Sequence, residues 1–277
     1  MKILITGANG QLGRELANQY KEKRSIDIIL AKRSDLDISN LNEVYSFVSK
    51  NKPDVIINCA ALTAVDKCET EIDMAYKINA IGPKNLAIAA NEIGSEIVQV
   101  STDYVFAGNT DKSLTEFDKL DPLTIYGKTK LEGEILVRNH NPKHYIVRTA
   151  WLYGDGNNFV KTMLNLSETH TAIKVVNDQK GTPTSTVDLA KVIIKLVEDK
   201  NYGLFHCTCK GECTWYEFTK EIFRIKGITT TVVPCMTDEF QRPAKRPEFS
   251  VLRNYMLELT TGDITRTWQE AIHEYLK

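Results

Sequence analysis

The first thirteen residues constrain this chain more than any other stretch. Lys2-Ile3-Leu4-Ile5-Thr6 is a short apolar run with strand character, Gly7-Ala8-Asn9-Gly10-Gln11-Leu12-Gly13 follows at once, and helical spacing begins behind it. The three glycines have separate jobs. Gly7 permits a tight turn, Gly10 lets backbone N–H groups approach a pyrophosphate, and Gly13 lets helix and strand pack closely. The helix N-terminus adds partial positive charge. A dinucleotide is expected there, contacted also by Asn9, Gln11 and Leu12. The G-x-x-G-x-x-G spacing is not G-x-G-x-x-G, which points to a subtype of the Rossmann fold.

The rest of the chain repeats the β-α rhythm. Lys2 to Thr6, Asp27 to Ala31, Asp54 to Ala61, Glu96 to Ser101 and His144 to Ala150 read as strands. Leu12 to Tyr20, Leu41 to Lys50, Met74 to Ile93 and Tyr126 to Val137 read as helices between them. Such alternation is the pattern of a doubly wound parallel sheet covered on both faces, and 277 residues with 42% hydrophobic content are enough for its core. Beyond Ala150 the rhythm loosens. Lys174 to Asn177 and Leu204 to Thr208 look like strands, Thr186 to Asp199 and Thr214 to Lys226 like helices, and a last helix starts near Asp263. The α/β fold expected is therefore a Rossmann domain of residues 1–150 plus about 175–210. A smaller, discontinuous α/β substrate domain takes about 151–174 plus 211–277.

Charge and cysteine content exclude several classes. The net charge of -1 offers no field for nucleic acid or an anionic membrane, and no apolar run approaches a membrane span or a secretory signal. A cytoplasmic location is expected. Six cysteines in a chain this long fit reduced thiols better than a disulfide framework. Cys207-x-Cys209-x3-Cys213 lacks the second ligand pair of a zinc site, so it reads as a strand end and turn, and no protein-held metal is assigned.

The end of the second strand chooses between NAD and NADP, because an acidic residue there binds the ribose 2′-hydroxyl and a basic one tolerates a 2′-phosphate. The run is Ala31-Lys32-Arg33-Ser34. It favours NADP(H) while admitting NAD(H), with Arg33 as the phosphate contact and Arg14 as a helper. Asp37 and Ile38 should flank the adenine, with Ala60 and Ala61 at the end of the third strand lining the same site.

Tyr-x-x-x-Lys puts a phenol and an ammonium on one helical face, where the cation can bring the phenol toward working pH. Chance alone supplies about one such match in a chain of this composition. There are two, Tyr126-Lys130 and Tyr216-Lys220. Only Tyr126 follows a strand whose carboxyl end, Ser101-Thr102-Asp103-Tyr104, carries a hydroxyl able to hold a substrate carbonyl. Thr102, Tyr126 and Lys130 are the expected catalytic set; Tyr216 is expected to pack.

These residues resemble the extended short-chain dehydrogenase/reductase superfamily. Within it, Ser101-Thr102-Asp103-Tyr104-Val105-Phe106, Tyr126-Gly127-Lys128-Thr129-Lys130, Ala64-Val65-Asp66-Lys67, Asn157-Asn158-Phe159, Asn177-Asp178-Gln179 and Arg246-Pro247 resemble the dTDP-4-dehydrorhamnose reductase family over essentially the whole chain. The resemblance implies reduction by NAD(P)H of the 4-keto group of dTDP-4-dehydro-6-deoxy-L-mannose to dTDP-L-rhamnose, a cell-surface polysaccharide precursor. It implies that Lys130 binds the nicotinamide ribose and tunes Tyr126, and that Trp151 walls the sugar. Arg246, in the basic segment from Gln241, should hold the diphosphate, with Asp103, Tyr104, Asn158, Gln179 and Ser250 as weaker substrate contacts. Asn79 either supports this network or is a helix-surface amide. Some relatives place Mg2+ at a homodimer contact made by glutamates, of which Glu15 would be one; the sequence leaves both the metal and the homodimer open. Two other functions compete: an NDP-sugar epimerase or dehydratase that keeps its NAD, and a non-catalytic subunit like the regulatory β subunit of methionine adenosyltransferase.

Overall fold

The computed structural model describes residues 1–23, 25–240 and 242–277, so Gln241, the expected start of the basic segment, lies outside the described residues. The central sheet has six parallel strands: β1 (Lys2–Thr6), β2 (Asp27–Ala31), β3 (Val55–Asn58), β4 (Glu96–Thr102), β5 (His144–Thr149) and, last in sequence, β10 (Gly203–His206). Their order across the sheet is β10-β5-β4-β3-β1-β2. Alternation along β1 shows why both faces must be covered. Ile3 and Ile5 point into one core, Leu4 into the opposite one.

The first core, on the Ile3 face, is closed by α1 (Gln11–Lys21) and α8 (Thr186–Asp199); the Leu4 face is covered by α2 (Leu41–Asn51), α5 (Gly82–Glu92) and Val137 of α6 (Ile125–His140). The single helix expected from Met74 to Ile93 is interrupted. α3 (Val65–Thr70) and α4 (Ile72–Tyr76) precede it, and a π-helical turn, Lys77–Ile81, leads into α5, whose second residue is Pro83. Proline lacks the N–H that regular helix would need there.

The remaining elements build a second core. β6 (Leu152–Tyr153) pairs with β9 (Thr184–Ser185), β8 (Lys180–Gly181) with β11 (Cys213–Thr214), and β7 (Ala172–Val176) with β12 (Thr231–Cys235). α7 (Phe159–Ser167), α9 (Trp215–Lys226) and α11 (Trp268–Tyr275) pack on them, and α10 (Tyr255–Leu259) lies against β10. The strand expected at Lys174 to Asn177 thus pairs with β12 and not with the central sheet; the chain returns to that sheet through α8 and β10. The last helix starts at Trp268, where Thr267 and Glu270 form a capping box, later than the expected Asp263.

All six cysteines are free. Cys207 belongs to the first core and Cys209 and Cys213 to the second, and no metal-holding cluster of three or more His, Cys, Asp or Glu exists among the described residues. Glu15 is hydrogen-bonded by Gln19 at 2.7 Å.

Candidate active site

A cleft of ≈ 1710 Å³ runs along the carboxyl ends of β1, β3, β4 and β5, walled on the far side by the second core. Its floor begins at the glycine turn. Gly7 has φ +63°, and a Cβ there would lie 2.7 Å from the backbone nitrogen of Ala60. A Cβ on Gly13 would lie 2.6 Å from the Gly7 carbonyl, so the helix can meet the strand this closely only with glycine. Gly10 caps α1 without any side-chain acceptor for the N–H groups of the first turn. That is the arrangement an anion completes.

Asn9, Gly10, Gln11, Leu12, Gly13, Ala60 and Ala61 line the cleft, while Gly7 supports it from beneath. Lys32 and Arg33 stand exposed just past β2, whose last carbonyl, at Ala31, accepts from Ala8 N–H in the glycine turn. The basic pair therefore sits beside the dinucleotide turn, outside the cleft proper. Asp37 is exposed, its carboxyl held low by Ser39 hydroxyl and backbone hydrogen bonds and, more weakly, by Arg33. Ile38 is buried in the second-face core, so its side chain packs inward. Arg14 lines the cleft as well, where it donates to the Asn9 carbonyl and pairs with Asp155 at 3.0 Å.

Three consecutive residues of β4 fasten α6. The Val100 carbonyl accepts from Lys130 Nζ at 2.6 Å, the Ser101 hydroxyl donates to Glu134, and the Thr102 side chain is hydrogen-bonded to Tyr126. At the other end, the Thr124 side chain accepts from Gly127 N–H and Glu69 accepts from Ile125 N–H at 2.9 Å, which fixes the first turn of α6 under Tyr126. Thr102 Oγ1 also donates to Asp103 Oδ1 at 2.9 Å, and the rings of Tyr104 and Tyr126 meet edge-on at 5.4 Å.

Burial decides the protonation chemistry here. It pushes the Tyr126 phenol up, and the Asp103 and Tyr104 neighbours push it further; only the Thr102 hydrogen bond opposes them. The Lys130 ammonium donates to the Val100 carbonyl on the neighbouring strand end. Burial brings Lys130 down to about 8 against the pull of Glu134 and Cys59. Asp103 is raised to about 6, again by burial, partly offset by the neighbouring Ser250 and Thr102. Asp103 Oδ2 and Thr149 Oγ1 are buried without a partner, and both residues line the cleft. Orphaned polar atoms of this kind fit a wall built to face a polar ligand.

On the far wall, Trp151 lines the cleft with φ +48°, a costly backbone for a bulky residue, and stacks on Trp215 at 3.4 Å. Trp215 was not legible as a site residue, because its helical spacing with Phe218, Thr219 and Ile222 reads as core. The Gln179 amide is spent between Trp215 Nε1 and Thr237. Asn158 caps α7 through Lys161 N–H, and its Nδ2 donates to Gln11, Gly154, Gly156 and Tyr275. Asn158 lines the cleft and, with two amide hydrogens shared among these acceptors, ties its two halves together.

Arg246, Ser250 and Tyr104 line the cleft with Asp103. Arg246 is held bidentately by Asp66, at 2.6 and 2.9 Å, and Asp66 also accepts from Ala244 N–H and lies 3.8 Å from Arg242. Asn79 is fully buried in the π-helical turn, clamping Leu62 through both its backbone groups and reaching Thr129. The surface reading of this amide does not hold. Tyr216 carries Lys220 over its ring at 5.4 Å on the outside of the second core, away from the cleft.

Comparison with known proteins agrees with this geometry. The family model described as RmlD substrate binding domain matches residues 1–277. A dTDP-4-dehydrorhamnose reductase of Aggregatibacter actinomycetemcomitans is 39% identical over 284 aligned residues, covering 98% of this chain and 97% of that protein. A crystal structure of a dTDP-4-dehydrorhamnose reductase from Clostridium acetobutylicum superposes with TM-score 0.99 at 66% identity, covering 100% of this chain and 98% of the other. That of Bacillus anthracis dTDP-4-dehydrorhamnose reductase in complex with NADP superposes with TM-score 0.96 at 41% identity, covering 99% and 98%. With its glycine turn, its Thr102, Tyr126 and Lys130 at one strand end, and full-length relatedness of this kind, the chain belongs to the dTDP-4-dehydrorhamnose reductase family.

Proposed function

We propose that the chain is an NADPH-dependent oxidoreductase that reduces the 4-keto group of dTDP-4-dehydro-6-deoxy-L-mannose to give dTDP-L-rhamnose. The observation that carries this reading is the meeting of Thr102, Tyr126 and Lys130 in one cleft with an anion-ready glycine turn. The nicotinamide, when bound, supplies hydride to C4. Tyr126 delivers a proton to the oxygen at C4, and Thr102, within hydrogen-bond reach of Tyr126, holds that oxygen in place. Lys130 presents its ammonium to the nicotinamide ribose from beside Val100. The first turn of α1 takes the pyrophosphate, and Lys32 with Arg33 faces a 2′-phosphate.

Residues 1–150 with α8 and β10 form the cofactor half, and the second core forms the sugar half. Arg246 holds the diphosphate of the sugar nucleotide, the stacked Trp151 and Trp215 form its apolar wall, and Asp103, Tyr104 and Ser250 meet its hydroxyls. The orphaned Asp103 Oδ2 favours that last role.

The test separates a reductase from an epimerase. Protein as purified should carry no stoichiometric nucleotide absorbance, and should oxidise NADPH when given the dTDP-4-keto sugar. Tightly held NAD with no net oxidation would reject the reading. Removing both Lys32 and Arg33 should raise KM for NADPH about tenfold or more, for a lost charge-assisted contact, and leave KM for NADH unchanged. Equal efficiency with the two cofactors before and after that change would overturn the cofactor preference alone.

A further inference from the structure

We propose that Asp66 is a positioning residue for the sugar nucleotide: by taking one end of the Arg246 guanidinium, it turns the remaining edge of that group to the diphosphate. This rests on the reading above that Arg246 holds the diphosphate. The two residues belong to opposite walls. Asp66 stands in α3 of the cofactor half, and Arg246 in the loop of the sugar half that lines the cleft.

Donor counting separates what Asp66 takes from what it leaves. Arg246 Nη1 donates to Asp66 Oδ1 at 2.6 Å and to the Ala244 carbonyl at 2.9 Å, and Nη2 donates to Asp66 Oδ2 at 2.9 Å. A guanidinium has five N–H donors, so one on Nη2 and the one on Nε remain. These two lie on a single edge of the planar group, spaced to meet two oxygens of a phosphate. Arg148, Arg224, Arg253 and Arg266 all spend that same edge on their carboxylates, through Nε and Nη2. Arg246 is approached from the other end. Its Nε has no hydrogen-bond partner among the described residues, although only 16% of the side chain is exposed.

The pair does not cancel the charge that a diphosphate needs. Within residues 242–248, Arg242, Lys245 and Arg246 stand against Glu248 alone; all four line the cleft, and Asp66 does not. One carboxylate behind the wall thus serves Arg246 closely and Arg242 at 3.8 Å, and the segment stays positive. Nor is the pair needed to hold the far end of this segment. Lys180 N–H donates to the Glu248 carbonyl and Ser250 N–H to the Lys180 carbonyl, both at 2.8 Å. What Asp66 supplies is the orientation of the fork, which a loose arginine would have to acquire at each binding event.

The experiment is a double-mutant cycle. Binding of dTDP, by calorimetry, and steady-state kinetics are measured for wild type, Asp66→Asn, Arg246→Ala and the double variant, with thermal unfolding of each. In Asp66→Asn the amide oxygen still accepts from Ala244 N–H, but the amide NH2 group meets the guanidinium and the fork is lost. Kd for dTDP and KM for the dTDP-sugar should rise about fivefold or more, with kcat and KM for NADPH within about twofold. Added to Arg246→Ala, the same change should weaken dTDP no further, because Asp66 acts through Arg246. Tighter dTDP binding in Asp66→Asn would make Asp66 a competitor of the diphosphate, and equal losses in both backgrounds would make it an anchor of the loop; either result overturns the proposal. Unchanged dTDP affinity in Asp66→Asn beside a weakened Arg246→Ala overturns the proposal and spares the diphosphate reading. Unchanged affinity in Arg246→Ala rejects that reading and the proposal with it.

Discussion

Tyr126 is one of two tyrosines in this chain with a lysine four residues on, and its surroundings separate it from the other. Tyr126 meets Thr102 at a strand end in the cleft, whereas Tyr216 meets only the Lys220 ammonium on an outer helix face. Tyr126→Phe should lower kcat by a factor of about 10² to 10⁴, the usual yield of a positioned proton donor, with NADPH affinity nearly unchanged. Tyr216→Phe should leave kcat within about twofold. A damaging Tyr216 change with a harmless Tyr126 change would mean that the wrong pair carries the chemistry. Asp103 gives a second prediction at this scale. Its folded pKa of about 6 lies above the unfolded value of 3.8, so its contribution to stability is fully present below about pH 4 and is lost as pH rises through 6. Asp103→Asn mimics the protonated form. It should raise the unfolding free energy at pH 7.5 by about 3 kcal/mol, the equivalent of a shift of about two pH units, and give little gain near pH 4. Denaturation curves at the two pH values check this, and an equal gain at both would contradict it.

Among the elements, the loop of residues 242–247 is where expectation and structure differ most usefully. Its cations were readable from the sequence as a phosphate-binding set. Their counter-ion was not, because Asp66 lies 180 residues away and the contact is made only by the fold. Bidentate pairing holds the Arg246 guanidinium at the cleft wall with only 16% of its side chain exposed, and it pulls the Asp66 carboxyl below its usual range. Arg246→Ala should raise KM for the dTDP-sugar about tenfold or more with little effect on KM for NADPH, and steady-state kinetics with each substrate varied reads this directly. Equal weakening of both would place Arg246 outside the sugar half. The five strands of the first two thirds were legible because their apolar runs are set locally, whereas the helix expected over Met74 to Ile93 breaks into α4, a π-helical turn and α5. β6, β8, β9 and β11, two residues each, were not legible, since their pairing is fixed by distant segments. For the same reason, the ties of Asn158 to Gln11 and of Gln179 to Trp215 could not be read from the sequence.

At the scale of the whole molecule, the two halves are joined by a few buried or half-buried polar ties. Arg266, just before α11, reaches Asp188 of α8 with two hydrogen bonds, at 3.0 and 2.7 Å, while Asn158 joins α7 to Gln11 of the glycine turn. Asp188 is 2% exposed, so Arg266→Ala would strand a buried carboxylate between the halves. A loss of about 3 kcal/mol is expected, read as a lower denaturant midpoint at pH 7. An unchanged midpoint would show that the halves are held by apolar packing alone. The arrangement as a whole has one central claim: that a cofactor half and a sugar half close one cleft in which a keto group is reduced. It is tested most directly by following NADPH absorbance with the enzymatically generated dTDP-4-dehydro-6-deoxy-L-mannose, and in parallel with its UDP and GDP analogues. The account predicts stoichiometric NADPH oxidation with formation of dTDP-L-rhamnose, abolished in Tyr126→Phe; no oxidation by a folded protein that binds NADPH would contradict it.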